Sequence, residues 1–312
     1  MNKSTATNPD LLRAAVEGLT GPDKSMDPKW FYDARGSALF EEITRQPEYY
    51  PTRTEAAILK DNIARLASYA PEGGVLVELG SGASVKTRIL LDGFPGLAAY
   101  LPLDVSGSFL KETAMRLARH YPDLPIRPIV GDFMAPLDMP AAYADHPKIA
   151  FFPGSTIGNL EPHRAQTLLS SVRAWPGVRA FIVGVDLVKD AGTLIRAYDD
   201  AAGVTAAFNL NLLRRLNREA CAGFDPDQFR HEARWNAELA RIEMHLVSRI
   251  DQDVPIGPRS ARFKAGESIH TENSHKYTRT SFEGMAAMAG WRLDAFLADA
   301  DRHFAVTALS PE

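Results

Sequence analysis

Residues 75–185 alternate short apolar runs with helical segments, and three successive runs end in a glycine or an acid. The run 75–79 stops at Gly80, 99–103 stops at Asp104, and 126–130 stops at Gly131-Asp132, with helical spacing over 86–91 and 108–119 between them. Two more apolar runs follow at 149–152 and 180–185. Runs this short and this apolar suit strands buried on both faces, and helices between them impose crossover connections. The expected architecture is α/β with a mostly parallel sheet, whose ligands bind beyond the carboxyl ends of its strands.

The flanks read differently. Residues 1–12 are polar and are expected to be loose. A helix is expected around 38–44, then a turn at Gln46-Pro47, then a helix over 54–69 that Pro71, Gly73 and Gly74 end. From Asp190 to about Arg262 the pattern becomes helix-rich (191–201, 206–221 and 226–231), with one strand at 242–250. This stretch is expected to build a second, smaller domain with the N-terminal segment. The tail returns to the sheet with a helix over 281–289 and strands at 291–298 and 304–309, one of them antiparallel. Such an ending is typical of a class I (Rossmann-like) methyltransferase sheet and less so of a nicotinamide-binding one. The expected division is 60–190 with 281–312 for a cofactor-binding domain, and 12–59 with 191–280 for a substrate-binding domain.

Composition narrows the partners. A net charge of −4 over 312 residues and a pI near 6.1 supply no basic field for nucleic acid or an anionic membrane. The lone cysteine, Cys221, cannot form an internal disulfide, and no Cys/His cluster has zinc-site spacing, so no metal is expected. The first ten residues lack the apolar core of a signal peptide, and no apolar run approaches the roughly 20 residues of a membrane span. The expectation is a cytoplasmic monomer acting on a small molecule.

The segment Val77-Glu78-Leu79-Gly80-Ser81-Gly82-Ala83-Ser84 joins the first strand to its helix. Glycines there permit a tight turn and close approach to a ligand. Val85 stands where a dinucleotide fingerprint has its third glycine, which favours a nucleoside cofactor over a pyrophosphate. A glycine pair alone describes an ordinary βα turn equally well. Its position adds weight: Asp104 ends the next strand, where an acid meets ribose hydroxyls, and Asp132-Phe133 ends the third, where an acid accepts an adenine amine and an aromatic covers the ring. Either acid alone reads as a helix N-cap; three coordinated strand ends do not. Lys86, in the first turn of the following helix, either reaches a cofactor carboxylate or is a solvated helix residue.

Longer motifs run through the chain: Lys-Trp-Phe-Tyr-Asp (29–33), Pro-Glu-Tyr-Tyr-Pro-Thr-Arg-Thr-Glu (47–55), Glu-Leu-Gly-Ser-Gly (78–82), Gly-Ser-Thr-Ile-Gly-Asn (154–159), Arg-Ala-Tyr-Asp-Asp (196–200) and Thr-Glu-Asn-Ser-His-Lys-Tyr (271–277). With these, from about Lys29 to Leu309, the chain resembles the histidine-specific methyltransferases of ergothioneine biosynthesis, which trimethylate the α-amine of histidine to hercynine. The resemblance implies S-adenosyl-L-methionine as cofactor, leaving as S-adenosyl-L-homocysteine, held by Gly80, Ser81, Gly82, Lys86, Asp104, Asp132, Phe133 and Gly154. It implies that Asn159 and Tyr198 hold the amino and carboxylate ends of the substrate together with Tyr49, in preference to Tyr50, and these three form the catalytic set. Tyr32 joins the substrate site, Met244 matches an apolar pocket wall, and Glu272 and Ser274 match the pair that reads the imidazole. Around Ser274 the run Asn273-Ser274-His275-Lys276-Tyr277 departs from the actinobacterial form of the motif, while Glu-x-Ser itself is intact.

Methyl transfer from a sulfonium to an amine is an in-line displacement that positioning favours most and that needs no metal. Neutral imidazole offers one donor and one acceptor, so Glu272 accepting and Ser274 donating would discriminate against rings lacking either group. On sequence alone Glu272 reads as a helix cap or ion-pair partner; the motif reverses that. Trp30, Trp235 and Trp291 read as core, Asp199 and Asp200 as caps or ion pairs, and His270 and His275 as non-ligands. Two alternatives stay open: an N-methyltransferase for another amine such as tryptophan or a derivative, and a nicotinamide-dependent oxidoreductase.

Overall fold

The computed structural model describes residues 7–81, 85–105, 107–135 and 137–312. They divide into two compact units, Met1–Tyr50 with Asp190–Asn273, and Pro51–Lys189 with Ser274–Glu312. The first contributes α1 (Pro9–Leu19) and α2 (Ala34–Ile43). The second follows with α3 (Pro51–Asp61), α4 (Ile63–Ala67), β1 (Val75–Leu79), α5 (Val85–Gly93), β2 (Ala99–Asp104), α6 (Gly107–His120), β3 (Ile129–Val130), β4 (Lys148–Phe152), α7 (Pro162–Arg173) and β5 (Val178–Asp186). The chain returns to the first unit for α8 (Ala191–Tyr198), α9 (Val204–Glu219), β6 (Phe229–Asn236), β7 (Arg241–Ser248), β8 (Gln252–Ile256), β9 (Arg259–Phe263) and most of β10 (Ser268–His275). It ends in the second with α10 (Arg279–Met288), β11 (Trp291–Ala298) and β12 (Phe304–Pro311).

The second unit is built on a seven-stranded sheet in the order β11-β12-β5-β4-β1-β2-β3. Strands β1 to β5 pair in parallel, and β12 lies antiparallel between β5 and β11, as the two-strand ending predicts. Every residue of β1 is buried, which explains why four of its five residues are apolar. On one face Ile58, Leu59, Leu66, Leu90 and Leu117 pack on Leu76, Tyr100, Phe151 and Ile182. On the other, Leu168, Leu169, Val172, Phe282 and Met285 pack on Phe152, Phe181 and Val183. Each such fully buried large side chain contributes about 1.5–3 kcal/mol. The chain order reverses between β1 and β4, so the carboxyl ends of those two strands form the switch point where such sheets bind ligands.

Two expectations here are corrected. The single helix over 54–69 is broken at Asn62, whose side chain turns back to donate to the Ile58 carbonyl at 2.9 Å. The strand over 126–130 joins the ladder only at Ile129–Val130, with one isolated bridge at Ile126. Pro125 and Pro128 lack the N–H groups a ladder needs.

In the first unit α9 buries Phe208, Leu212, Leu213 and Leu216 in a core shared with Phe229, Ile242, Met244 and Leu246. Its sheet runs β10-β7-β6, beside a β8–β9 hairpin that buries Val254, Ile256, Ala261 and Phe263. Three corrections follow. Residues 9–12 are helical: Asn8 caps α1 through the Leu11 amide at 3.1 Å, and Leu11, Ala15 and Leu19 are buried. Residues 226–231 form a short 3-10 turn, Pro226–Gln228, and then the start of β6. The stretch read as helix-rich also carries β8, β9 and β10. The unit boundaries differ as well, since residues 51–59 and 274–280 lie with the seven-stranded sheet. No helix among the described residues is long and apolar enough to cross a membrane.

Candidate active site

At the carboxyl end of β1, Gly80 takes φ +68, a conformation that side-chain-bearing residues rarely adopt. The amides of Gly80 and Ser81 both donate to the Leu103 carbonyl, at 2.8 and 3.1 Å, which pins the turn to the end of β2. Gly82 lies outside the described residues. Asp104 ends β2 half-buried. Asp132 is exposed, and its carboxylate accepts the Met134 amide at 2.8 Å. Phe133 meets Phe152 edge-on, with ring centroids 5.1 Å apart.

Just before the glycine turn, Glu78 is buried and accepts hydrogen bonds from Thr87 at 2.7 Å and Tyr100 at 2.5 Å. Burial raises its pKa to about 7, against the opposing pull of those two donors and of Lys86.

Lys86 is not a solvated helix residue. Its ammonium lies 2.6 Å from Glu55, a carboxylate of 0% exposure in α3. Both Glu55 oxygens also accept the Gly154 amide, at 3.1 and 2.9 Å. Gly154, at φ +78 after β4, brings its backbone close enough that an added Cβ would stand 3.3 Å from the Lys86 nitrogen. Glu55 therefore ties the end of β4 to α5. The sequence reading gave it no role, although it closes the 47–55 motif.

Asn159 ends the 3-10 turn Thr156–Asn159, which starts after Ser155 in the left-handed region at φ 56. The Ser155 hydroxyl accepts the Asp186 amide at 2.9 Å. Asp186 is fully buried and paired with two ammoniums, Lys189 at 2.6 Å and Lys276 at 2.8 Å. Burial alone would raise its pKa, but Lys276 and Lys189 outweigh that and hold it below the usual carboxylate range. Lys276 also donates to the Ser274 hydroxyl at 2.7 Å. Lys189, lowered by burial against the pull of Asp186, sits at about 8.

The other unit carries an aromatic group. Tyr49 meets Tyr198 edge-on at 6.3 Å and Phe40 at 6.3 Å, while Tyr32 packs edge-on against Phe40 and Phe208 at 5.8 Å each. Tyr49, Tyr50 and Tyr198 are buried and Tyr32 is half-buried. Tyr198 is the last residue of α8, and its carbonyl sits 2.8 Å from His231 Nε2. Asn209 Nδ2 lies 2.9 Å from the Nδ1 of that ring. A carbonyl needs a donor and an amide nitrogen an acceptor, so His231 is the neutral Nε2–H tautomer; burial, which lowers its pKa, acts in the same direction. This histidine, with no part in the sequence reading, fixes the end of α8 beneath Tyr198. Asp200 caps α9 through the Val204 and Thr205 amides, as expected.

Met244 is buried on β7, and its carbonyl accepts the Thr271 hydroxyl at 3.0 Å. Glu272 is buried on β10. The His245 and His270 rings stack at 4.9 Å, and Glu243, His245 and His270 each bring one ligand atom within 4.8 Å of the others, a cluster the sequence spacing did not suggest. These groups already bond one another and their neighbours: Glu243 takes Arg241 at 2.8 Å, and His270 Nε2 lies 3.2 Å from the Glu272 carbonyl.

Residues 11–311 match the model of a family described as histidine-specific methyltransferase, SAM-dependent. A histidine N-alpha-methyltransferase of Mycolicibacterium smegmatis is 45% identical over 289 residues, covering 90% of this chain and 89% of that one. A 4-dimethylallyltryptophan N-methyltransferase of Trichophyton verrucosum is 27% identical, covering 88% and 86%. A solved S-adenosylmethionine-dependent methyltransferase of Clostridium acetobutylicum shares the fold, with a TM-score of 0.52 at 11% identity over 87% of this chain and 97% of that one. The oxidoreductase alternative is thereby removed, and the chain belongs to the histidine-specific, S-adenosylmethionine-dependent methyltransferases.

Proposed function

We propose that this enzyme methylates the α-amino group of L-histidine three times to give hercynine, a step of ergothioneine biosynthesis. The observation that carries the acceptor is Glu272, a buried carboxylate on β10 in a chain 45% identical to a histidine N-alpha-methyltransferase. A buried carboxylate suits an azole N–H, whereas a bulkier indole calls for a larger and less acidic pocket than Glu272 and Met244 provide.

The residues of the seven-stranded unit fit the cofactor. The positive-φ turn at Gly80 admits a nucleoside close to the backbone, Asp104 accepts from ribose hydroxyls, Asp132 accepts the adenine amine, and Phe133 covers the ring. Lys86, oriented by Glu55, presents an ammonium to the methionyl carboxylate. When bound, the sulfonium supplies an activated methyl and its own leaving group. Asn159 and Tyr198, with Tyr49 or Tyr50, hold the substrate's amino and carboxylate ends, so that the nitrogen lone pair is aimed along the line of displacement. That positioning is the main contribution of the side chains. No residue is assigned as an essential base; water carries the amine proton away.

Calorimetric titration of histidine and of tryptophan, with S-adenosylhomocysteine present, tests this reading. The wild-type protein should bind histidine and not tryptophan, and Glu272→Ala should lose most of that affinity while keeping the nucleoside. Binding of tryptophan in preference to histidine would overturn the acceptor assignment.

A further inference from the structure

Glu243 and His245 stand two residues apart on β7 and so share a face, and His270 lies on the neighbouring strand, β10. All three belong to one compact unit. The two imidazole planes are inclined by only 18°, and each of the three residues offers a ligand atom within 4.8 Å of the other two.

The hydrogen bonds around this cluster give each side chain an outer and an inner atom. Glu243 Oε1 accepts from Arg241 at 2.8 Å and from Asn236 at 3.1 Å. His245 Nδ1 lies 3.2 Å from the Ser268 hydroxyl. His270 Nε2 lies 3.2 Å from the Glu272 carbonyl. A carbonyl needs a donor, so in the neutral ring that nitrogen carries the hydrogen and Nδ1 keeps a lone pair. The inner atoms are then Glu243 Oε2, His245 Nε2 and His270 Nδ1. Oε2 and Nε2 are 3.3 Å apart, which matches the edge of a tetrahedron with zinc–ligand arms of about 2.0–2.2 Å. Metal-binding histidines characteristically rest their second nitrogen on an oxygen that fixes the ring. The Ser268 hydroxyl and the Glu272 carbonyl are such oxygens, and Arg241 with Asn236 fixes the carboxylate.

We infer that Glu243, His245 and His270 form a binding site for a divalent ion of the zinc class, tying β7 to β10. Two imidazole nitrogens and one carboxylate oxygen suit that class, and three protein ligands leave a fourth position to water. The ion replaces the hydrogen between His245 Nε2 and Glu243. The neutral ring then carries its hydrogen on Nδ1, where the Ser268 oxygen accepts it, so no net proton is released. His270, half-buried, turns its ring to close the triangle. The charges of Arg241 and Arg234 act on this cluster and oppose the ion. Each is offset by a carboxylate, Arg241 by Glu243 itself and Arg234 by Glu232 at 2.6 Å.

The test is calorimetric titration of zinc chloride into the full chain, free of any histidine tag. The wild type should bind one equivalent. His270→Gln should weaken that binding by about 100-fold or more, and Ser268→Ala, which removes only the oxygen behind His245, by about tenfold. Asp299→Asn alters the other grouping of potential ligands, Asp299, Asp301 and His303, and should leave the affinity unchanged. Failure of the wild type to bind zinc overturns the inference. So does binding that survives in His270→Gln or is lost in Asp299→Asn, because the ion then sits elsewhere. Cobalt(II) added to the wild type decides the matter without a variant. A four-coordinate site with two imidazoles gives strong visible bands that zinc abolishes, and only the weak bands of the hydrated ion would overturn the assignment.

Discussion

Glu78 gives the sheet unit a pH dependence whose size follows from its burial. The carboxyl has 2% exposure, and burial lifts its pKa from the ordinary 4.5 to about 7, the donors Tyr100 and Thr87 and the Lys86 charge opposing. A raised carboxyl pKa means the folded protein holds a proton that the unfolded chain has already released. Stability from this group is therefore complete below pH 4.5, falls as pH rises, and levels off above pH 7, with a full span of about 3 kcal/mol. Glu78→Gln keeps an oxygen to accept from Tyr100 and Thr87 but has nothing to ionise. Its stability relative to wild type should rise by about 2.5 kcal/mol between pH 5 and pH 8. Urea denaturation of both proteins at each pH reads this, since the other titrating groups cancel in the difference. Amide exchange in β1 assigns the effect to the sheet unit. A difference that stays constant within 0.5 kcal/mol would show that the surrounding donors compensate for the lost hydration and would refute the reasoning.

Three further perturbations probe the same unit. Gly184→Ala would place a methyl 2.0 Å from Glu55 Oε1 and 3.1 Å from Phe304, pushing the carboxylate off Lys86 and Gly154; the expected loss is about 3 kcal/mol in urea denaturation, with weaker S-adenosylhomocysteine binding, and a loss under about 1 kcal/mol would show that Glu55 shifts at little cost. Lys148→Met strands the carbonyls of Ala144, His146 and Pro176, which Lys148 bonds at 2.7 to 2.9 Å; stability should fall by about 3 kcal/mol while nucleoside affinity measured by calorimetry holds. Asp104→Ala should weaken S-adenosylhomocysteine by about tenfold or more, one charge-assisted hydrogen bond being worth about 1.5–3 kcal/mol, and unchanged affinity would remove Asp104 from the ribose site.

What the sequence made legible follows from what each element must bury. Strands β1, β2, β4 and β5 are enclosed on both faces, so their residues are nearly all apolar and stand out as runs. The ends of β1, β2 and β3 are marked by Gly80, Asp104 and Asp132, residues needed for turns and for polar ligands. In β6, by contrast, Phe229 and Ala233 alternate with Arg230, Glu232 and Arg234, because an edge strand tolerates charge on its open face. Its short preceding turn at Pro226 mimics a helix start. The strands β8 and β9 bury only Val254 and Ile256, and Ala261 and Phe263, among polar residues and a proline, so neither forms an apolar run that declares it. Glu55 and His231 were missed for another reason. Each acts through partners distant in sequence, Glu55 through Gly154 and His231 through Tyr198, and no local pattern encodes that distance.

The buried charges of the sheet unit sort by the end of the sheet on which they lie. Lys148 begins β4 and spends its ammonium on three backbone carbonyls at the amino edge. Such a residue closes loops and gives a ligand nothing to bind. Glu55 reaches Gly154, two residues beyond β4, Asp186 ends β5, and Glu78 is one residue from the end of β1, all at the carboxyl edge where α/β sheets take ligands. Burying a charge costs several kcal/mol unless its partners are held in place, and on the carboxyl edge those partners are Lys86 and Gly154 for Glu55, and Lys189 and Lys276 for Asp186. The ion pairs there are thus tied to residues that contact cofactor or substrate in the proposed mechanism. Substitutions at the amino edge should move stability alone, and those at the carboxyl edge should move stability and ligand affinity together. This separation is open to direct measurement by pairing Lys148→Met with Glu55→Gln: loss of nucleoside affinity in the first, or its retention in the second, would break the link between edge and function.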